Sequence, residues 1–333
     1  MGKKFGVVLI GLGVFVLALA LLSRFYVYDR LAVVPLDQDT VSVSEGPGAT
    51  IFDIATQEEI TLDLESVRKV VGDVEASEQA SEELDRDIAI WETSVITDEP
   101  GAVVDEDNPP RSGTHDRVAF DRHTGEAIDC CDNYLASTAD LETGQEDRDT
   151  ETPITGQYFK LPFNTQKQTY QFWDGALKDS TDLQYRATED IDGLTVYRFE
   201  QVIEPTDVAD INAPASIFGI DEEGDIQLDR IYANTRTLWV EPETGVIIRG
   251  QEAQDVVAEY QGQEVATLTN VVIGYNEATI QDNVETYSDL SSQLKIVRVW
   301  LPMLGGALGV ILILIGLFLA GRDSSRRRGV RSA

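Results

Sequence analysis

The sequence is poor in the residues that usually advertise chemistry. Its 333 residues include two histidines, two cysteines and two methionines. His115 and His123 stand eight positions apart without further closely spaced ligands, so a zinc site of the usual tight spacing is excluded. No Gly-x-Ser-x-Gly elbow, phosphate loop or Cys–His pair occurs. Carboxylates are so abundant that their presence singles out no catalytic pair. With no recognisable constellation, the expectation is a non-enzymatic chain without a cofactor. Lysine is scarce, 7 against 19 arginines, and 59 acids face 26 bases, a net charge of −33. That balance leaves no basic patch for nucleic acid, and its field repels anionic lipid headgroups.

One long apolar run stands near each end. Phe5–Leu22 is an uncharged run of 18 residues and Leu301–Ala320 one of 20; roughly 17–25 apolar residues in a helix span a bilayer core. Lys3 and Lys4 precede the first, and Arg322, Arg326, Arg327, Arg328 and Arg331 follow the second. Short basic flanks stay cytoplasmic. The expectation is a plasma-membrane protein with a cytoplasmic tail at 1–4, transmembrane helices at 5–22 and 301–320, an acidic extracytoplasmic domain at 23–300 and a basic cytoplasmic tail at 321–333. Ala18-Leu19-Ala20 has the form of a signal cleavage site, but a signal core is usually about 7–15 residues. The longer run, with Phe25, Tyr26 and Tyr28 as an aromatic belt and Trp300 as its counterpart, reads as an uncleaved anchor. Gly305 and Gly309 make a small-xxx-small step, and Gly316 lies one heptad beyond Gly309. Small residues let membrane helices approach closely. These three are candidate helix-packing positions, against the glycines of the first helix (Gly2, Gly6, Gly11, Gly13) or against another copy, so an oligomer stays open; glycine is also simply frequent in such helices. Neither run holds a charge, which speaks against a proton relay or ion path through the two.

The segment between them is large enough for one domain or two. Cys130 and Cys131 are adjacent and form a candidate vicinal disulfide, with interchain bridges or two free thiols as alternatives. A clamp on a turn is the preferred reading, since redox work usually wants Cys-x-x-Cys. The clusters Asp105-Glu106-Asp107 and Asp221-Glu222-Glu223-Gly224-Asp225 could hold a hard cation, but neither alternates as an EF-hand loop does, and both read as solvated loops. Patterning is mainly antiparallel β, giving an α+β class. Hairpins are expected at Thr50–Leu64, across Asp192-Gly193, across Glu241–Gly245 and across Gln261-Gly262-Gln263. Ser77–Leu84 reads as a short helix or loop, Glu204–Ile211 as a short helix, and Thr286–Arg298 as a helix leading into the second span. Cys130–Pro153 reads as a long surface loop between candidate halves 31–150 and 151–285. Trp91, Trp173 and Trp239 are expected in the core. An internal echo aligns residues 118–128 with 238–248: apolar strand, acid, two residues, Thr-Gly, strand. It suggests two related β units, though Thr-Gly ends many hairpins.

Four segments carry a family resemblance: the Lys3-Lys4 start with its span, Phe120-Asp-Arg-His-Thr-Gly-Glu-Ala-Ile-Asp-Cys-Cys131, Leu238-Trp-Val-Glu-Pro-Glu-Thr-Gly245, and the last span with its Arg tail. Over nearly its whole length the chain resembles the porin-PorA-like family of actinobacteria, two-span membrane proteins with a large ectodomain of unassigned function. The resemblance implies a channel-forming oligomer and brings no catalytic residues. A porin barrel needs a lipid-facing apolar band on every strand, and short acidic strands offer none, so no barrel is expected. Thr237–Arg249 is also similar to strands of cell-envelope lipid carriers, which implies a curved antiparallel sheet. Two readings follow. The first is a non-catalytic envelope module whose ectodomain binds an envelope lipid, wall polymer or partner protein. The alternative is an oligomeric channel.

Overall fold

The computed structural model describes residues 2–54, 56–105, 108–137 and 148–328. It divides into two compact units, Met1–Val33 with Ser288–Ala333, and Val34–Tyr287. In the first unit α1 (Gly2–Leu22) continues through a π-turn, Ser23–Val27, into the short α2 (Tyr28–Leu31).

The second unit is built on twelve antiparallel strands. They are β1 (Asp39–Asp53), β2 (Glu58–Gly72), β3 (Ile88–Asp98), β4 (Ser112–Asp121), β5 (Tyr134–Ser137), β6 (Arg148–Asp149), β7 (Tyr170–Asp174), β8 (Asp179–Ile191), β9 (Leu194–Pro214), β10 (Asp225–Val240), β11 (Ile247–Tyr260) and β12 (Gln263–Tyr275). All lie in one sheet, in the order β6-β5-β4-β3-β2-β1-β12-β11-β10-β9-β8-β7, so both candidate halves contribute to it. The sheet curls until its ends meet. Gln157 bridges Glu126, just beyond β4, to Phe172 of β7, and Asp149 of β6 pairs with Lys178 of the β7–β8 turn at 2.7 Å. α3 (Val74–Leu84) joins β2 to β3. Chain order closes with α4 (Glu277–Lys295), a π-turn at Ile296–Trp300 and α5 (Leu301–Arg328). Lys4–Leu31 and Glu277–Gly321 are both long and apolar enough to cross a membrane.

Local chemistry explains the boundaries. Asp73 caps α3 by accepting from the Ala76 N–H, and Asp85 ends it in the left-handed region. Asp192-Gly193 and Gln261-Gly262 take the paired positive φ that tight hairpins require. On β2, Ile60, Leu62 and Leu64 turn toward Ala49, Ile51 and Val271, while Glu59, Thr61, Asp63 and Lys69 are exposed. The exposed face therefore carries charges where a lipid-facing strand would carry apolar side chains.

Three expectations change. Glu204–Ile211 is not a helix: it pairs along β10, and the register slips where Pro205 sits, since proline has no N–H to give the ladder. Cys130–Pro153 is not one loop, because it contributes β5 and β6. The principal strands are also long, 15 residues in β1 and β2 and 21 in β9, rather than short.

Candidate functional site on the inner face of the sheet

Residues 154–165 cross the inner face as an irregular segment whose side chains meet both halves of the sheet. Leu161 packs with Phe172, Leu183, Phe199, Leu238, Val240 and Ile247. Phe159 and Phe163 pack against Trp91, Phe120 and Ala89, and Tyr158 joins Val118, Leu135 and Trp173. Phe159 meets Trp91 at 5.2 Å between ring centroids, edge to face.

The backbone of this segment is held by the two echoed turns, which have the same internal wiring. In the first, the Asp121 carboxylate accepts from the His123 and Thr124 N–H groups and the Thr124 hydroxyl, and Gly125 N–H closes on the Asp121 carbonyl. In the second, Glu241 accepts from the Glu243 and Thr244 N–H groups and the Thr244 hydroxyl, and Gly245 N–H closes on the Glu241 carbonyl. Both turns hand their carbonyls to the crossing segment. Leu161, Asn164 and Thr165 donate N–H to Gly245, Glu243 and Pro242 at 2.9, 3.1 and 2.7 Å, and Phe163 to His123 at 3.4 Å. The Gln157 amide nitrogen donates to the Thr124 and Lys160 carbonyls. Gly245 has φ +74°, and a Cβ there would collide with the Leu161 carbonyl, so glycine is required both for the turn and for the approach.

The alternation of β10 turns Tyr232, Asn234, Arg236, Leu238 and Val240 toward the same inner face. Arg236 is the hub. It donates to Glu252 (2.8 Å), Gln201 (2.7 Å), the Trp173 carbonyl (3.0 Å) and Asp174 (3.2 Å). Tyr232 donates to Asp174, and Asn234 and Gln254 donate to Glu252. Burial pushes the Glu252 carboxyl up, but the Arg236 charge and these hydrogen bonds outweigh it and hold it below the ordinary range. On β4, burial raises Asp116, opposed by the Tyr158 hydroxyl that donates to it. Arg68 lies over the Tyr158 and Phe159 rings and donates to Thr93. A charged, hydrogen-bonding array thus occupies the place where an ordinary sheet would carry only apolar side chains. Lys160 is the outlier: it is buried, 5% exposed, its amine has no hydrogen-bond partner, and burial drives its pKa well below the usual lysine range.

None of Asp116, Lys160, Asp174, Arg236 or Glu252 was singled out from the sequence. The echo held a usable signal, because its 120-residue offset places Asp116 opposite Arg236.

The residues that were singled out lie elsewhere. Gly309 and Gly316 of α5 lie against Gly13 and Gly6 of α1. A Cβ on Gly309 would come within 2.8 Å of the Gly13 carbonyl, and one on Gly316 within 2.7 Å of the Gly6 carbonyl. Gly305 faces Ala20, while Gly11 has nothing within 4 Å. Cys130 and Cys131 are joined by a disulfide, and both pack in the cluster of Ala80, Ile88, Ile90 and Ala119 beside α3. Glu106, Asp107 and the side chains of the Arg tail lie outside the described residues. Glu222 accepts from Tyr260, and no group of three His, Cys, Asp or Glu among the described residues is placed to hold a metal. Trp91 and Trp173 are buried, but Trp239 is only half-buried, donating to Glu189 with Arg249 over its ring. His115 lies in β4 near Tyr134 and Glu92, and His123 pairs with Asp87, so the two do not form one site.

The sequence is similar to two proteins named Porin PorA. One, from Corynebacterium amycolatum, is 21% identical over an alignment covering 97% of this chain and 100% of that protein. The other, from Corynebacterium resistens, is 24% identical over 67% of this chain and 69% of that protein. The profile of the Porin PorA family matches residues 5–318, which takes in both apolar helices and the entire sheet. The chain is a membrane protein of the Porin PorA family.

Proposed function

We propose that this protein is a non-catalytic, porin-like channel component of the plasma membrane, with both termini cytoplasmic and the curled sheet outside. The Porin PorA family match carries the reading; the charged array on the inner face, from Arg68 and Asp116 to Arg236 and Glu252, is polar as the lining of a solute path would be. The family match over residues 5–318 and the two relatives named as porins support the channel alternative over the envelope-binding module expected first.

The membrane-crossing path is not the sheet itself. Charges at Glu59, Asp63 and Lys69 on its exposed face forbid lipid contact. Nor can one pair of apolar helices enclose water. Several copies are therefore required, with Gly6, Gly13, Gly309 and Gly316 already used to pair the two helices of each chain. The net charge of −33 favours cations in the path. Purified full-length protein in planar bilayers should give discrete conductance steps, and silence at all protein concentrations would overturn the reading. A second reading keeps one observation behind it: the aliphatic strip of Ile60, Leu62, Leu64, Val271 and Ile273 on the inner face suits an acyl chain. Native mass spectrometry of detergent-extracted protein with no retained lipid would dispose of it.

A further inference from the structure

We propose that residues 154–165 are a displaceable plug inside the curled sheet, latched by the two echoed turns and poised on the buried amine of Lys160. The inference deepens the porin-like reading, since it names what opens and closes the interior, but its physical content is independent of conduction.

Three observations carry it. The segment has no strand or helix of its own: its main-chain hydrogen bonds run to the two turns and, at Gly156 and Gln157, to Ala127 and to Gln171 and Trp173 of β7. It packs on both halves of the sheet, with Tyr158 donating to Asp116 of β4 and Leu161 packed against Leu238 and Val240 of β10. The buried side-chain polar atoms without a partner also gather on it or on its immediate packing neighbours. They include Lys160 Nζ on the segment and the indole N–H groups of Trp91 and Trp173, which pack against it. A natural core leaves few such atoms, and each costs about 1–3 kcal/mol where it occurs. Seating the segment therefore leaves Lys160 Nζ buried without a hydrogen-bond partner, a cost that its release would relieve.

Lys160 sets the direction. Its amine lies 3.3 Å from the centre of the Phe163 ring. The elements around it carry Asp121, Arg122 and His123 on the first turn, Glu241 and Glu243 on the second, and Arg68 beyond Phe159. Arg122 is bonded to the Val34 carbonyl, His123 to Asp87 and Arg68 to Thr93. Glu241 is the charged neighbour that acts on Lys160, and its oxygens already accept three hydrogen bonds from its own turn. Burial therefore favours the neutral amine in the seated plug, whereas a released plug exposes an ordinary lysine. The seated state binds fewer protons, so it is favoured at high pH and lost as pH falls below the ordinary lysine value of about 10.4.

Amide hydrogen exchange on the full-length protein in detergent tests this. After correction for intrinsic rates, protection of peptides covering 154–165 should fall as pH is lowered from about 10 toward neutrality, by up to about tenfold per unit. Protection of β10 and β11 should stay flat. Lys160→Met should abolish the pH dependence and raise protection of 154–165, and Gly245→Ala should lower that protection at every pH. Protection of 154–165 equal to that of β10 at all pH values, or an unchanged pH response in Lys160→Met, would overturn the proposal. If exchange behaves as stated and the bilayers stay silent, the plug stands and the porin-like reading falls.

Discussion

The two echoed turns use one backbone device in two settings. Each places an acid at its first position, binds that acid to the same two N–H groups and the same threonine hydroxyl, and ends on a glycine of positive φ. Yet Glu241, Glu243 and Thr244 are buried, whereas Asp121 keeps partial exposure and Thr124 is exposed. Five residues upstream the contrast sharpens: Asp116 and Arg236 occupy equivalent positions on the same inner face with opposite charge. Local wiring is set by sequence spacing, while the energetic weight of each member is set by what covers it.

Arg236→Met should have the largest effect. It leaves Asp174 buried and Glu252 without its counter-charge, a loss of about 3–5 kcal/mol by the rule for half-removed buried pairs, read as a fall in denaturation midpoint of the full-length protein. Glu241→Ala comes next. Three buried donors lose their acceptor, for about 2–4 kcal/mol; the matching Asp121→Ala, where water can replace the carboxylate, should cost about 1 kcal/mol. Equal losses at the two turns would show that burial does not set the difference. Asp116→Asn should have the smallest effect and a characteristic sign. The Asp116 pKa is raised in the folded state, chiefly by burial, so its contribution is fully favourable below the unfolded value and is lost as pH rises through the folded one. The asparagine variant should match the parent in acid and exceed it by about 1 kcal/mol or less near neutrality, on the scale of a single hydrogen-bonded group. Chemical denaturation at both pH values checks this.

Much of the fold was legible because it rests on local rules. The apolar runs of α1 and α5, the Asp192-Gly193 and Gln261-Gly262 hairpins and the Thr-Gly echo all follow from length, alternation and turn chemistry. Glu204–Ile211 misled because its composition suits a helix, while pairing with β10 supplies a full ladder that local preference cannot foresee. The inner-face array was invisible for a related reason. Asp174, Gln201, Arg236 and Glu252 come from four strands, and each alone looks like one more polar residue in an acidic chain. Lys160 was equally hidden, since only the curl of the sheet buries it.

The most direct test of the account is the zero-current potential of single channels formed by the purified full-length protein across a potassium chloride gradient. Stepwise channels are expected, with a potential of the sign of preferential potassium passage. Anion-preferring channels, or none, would contradict it.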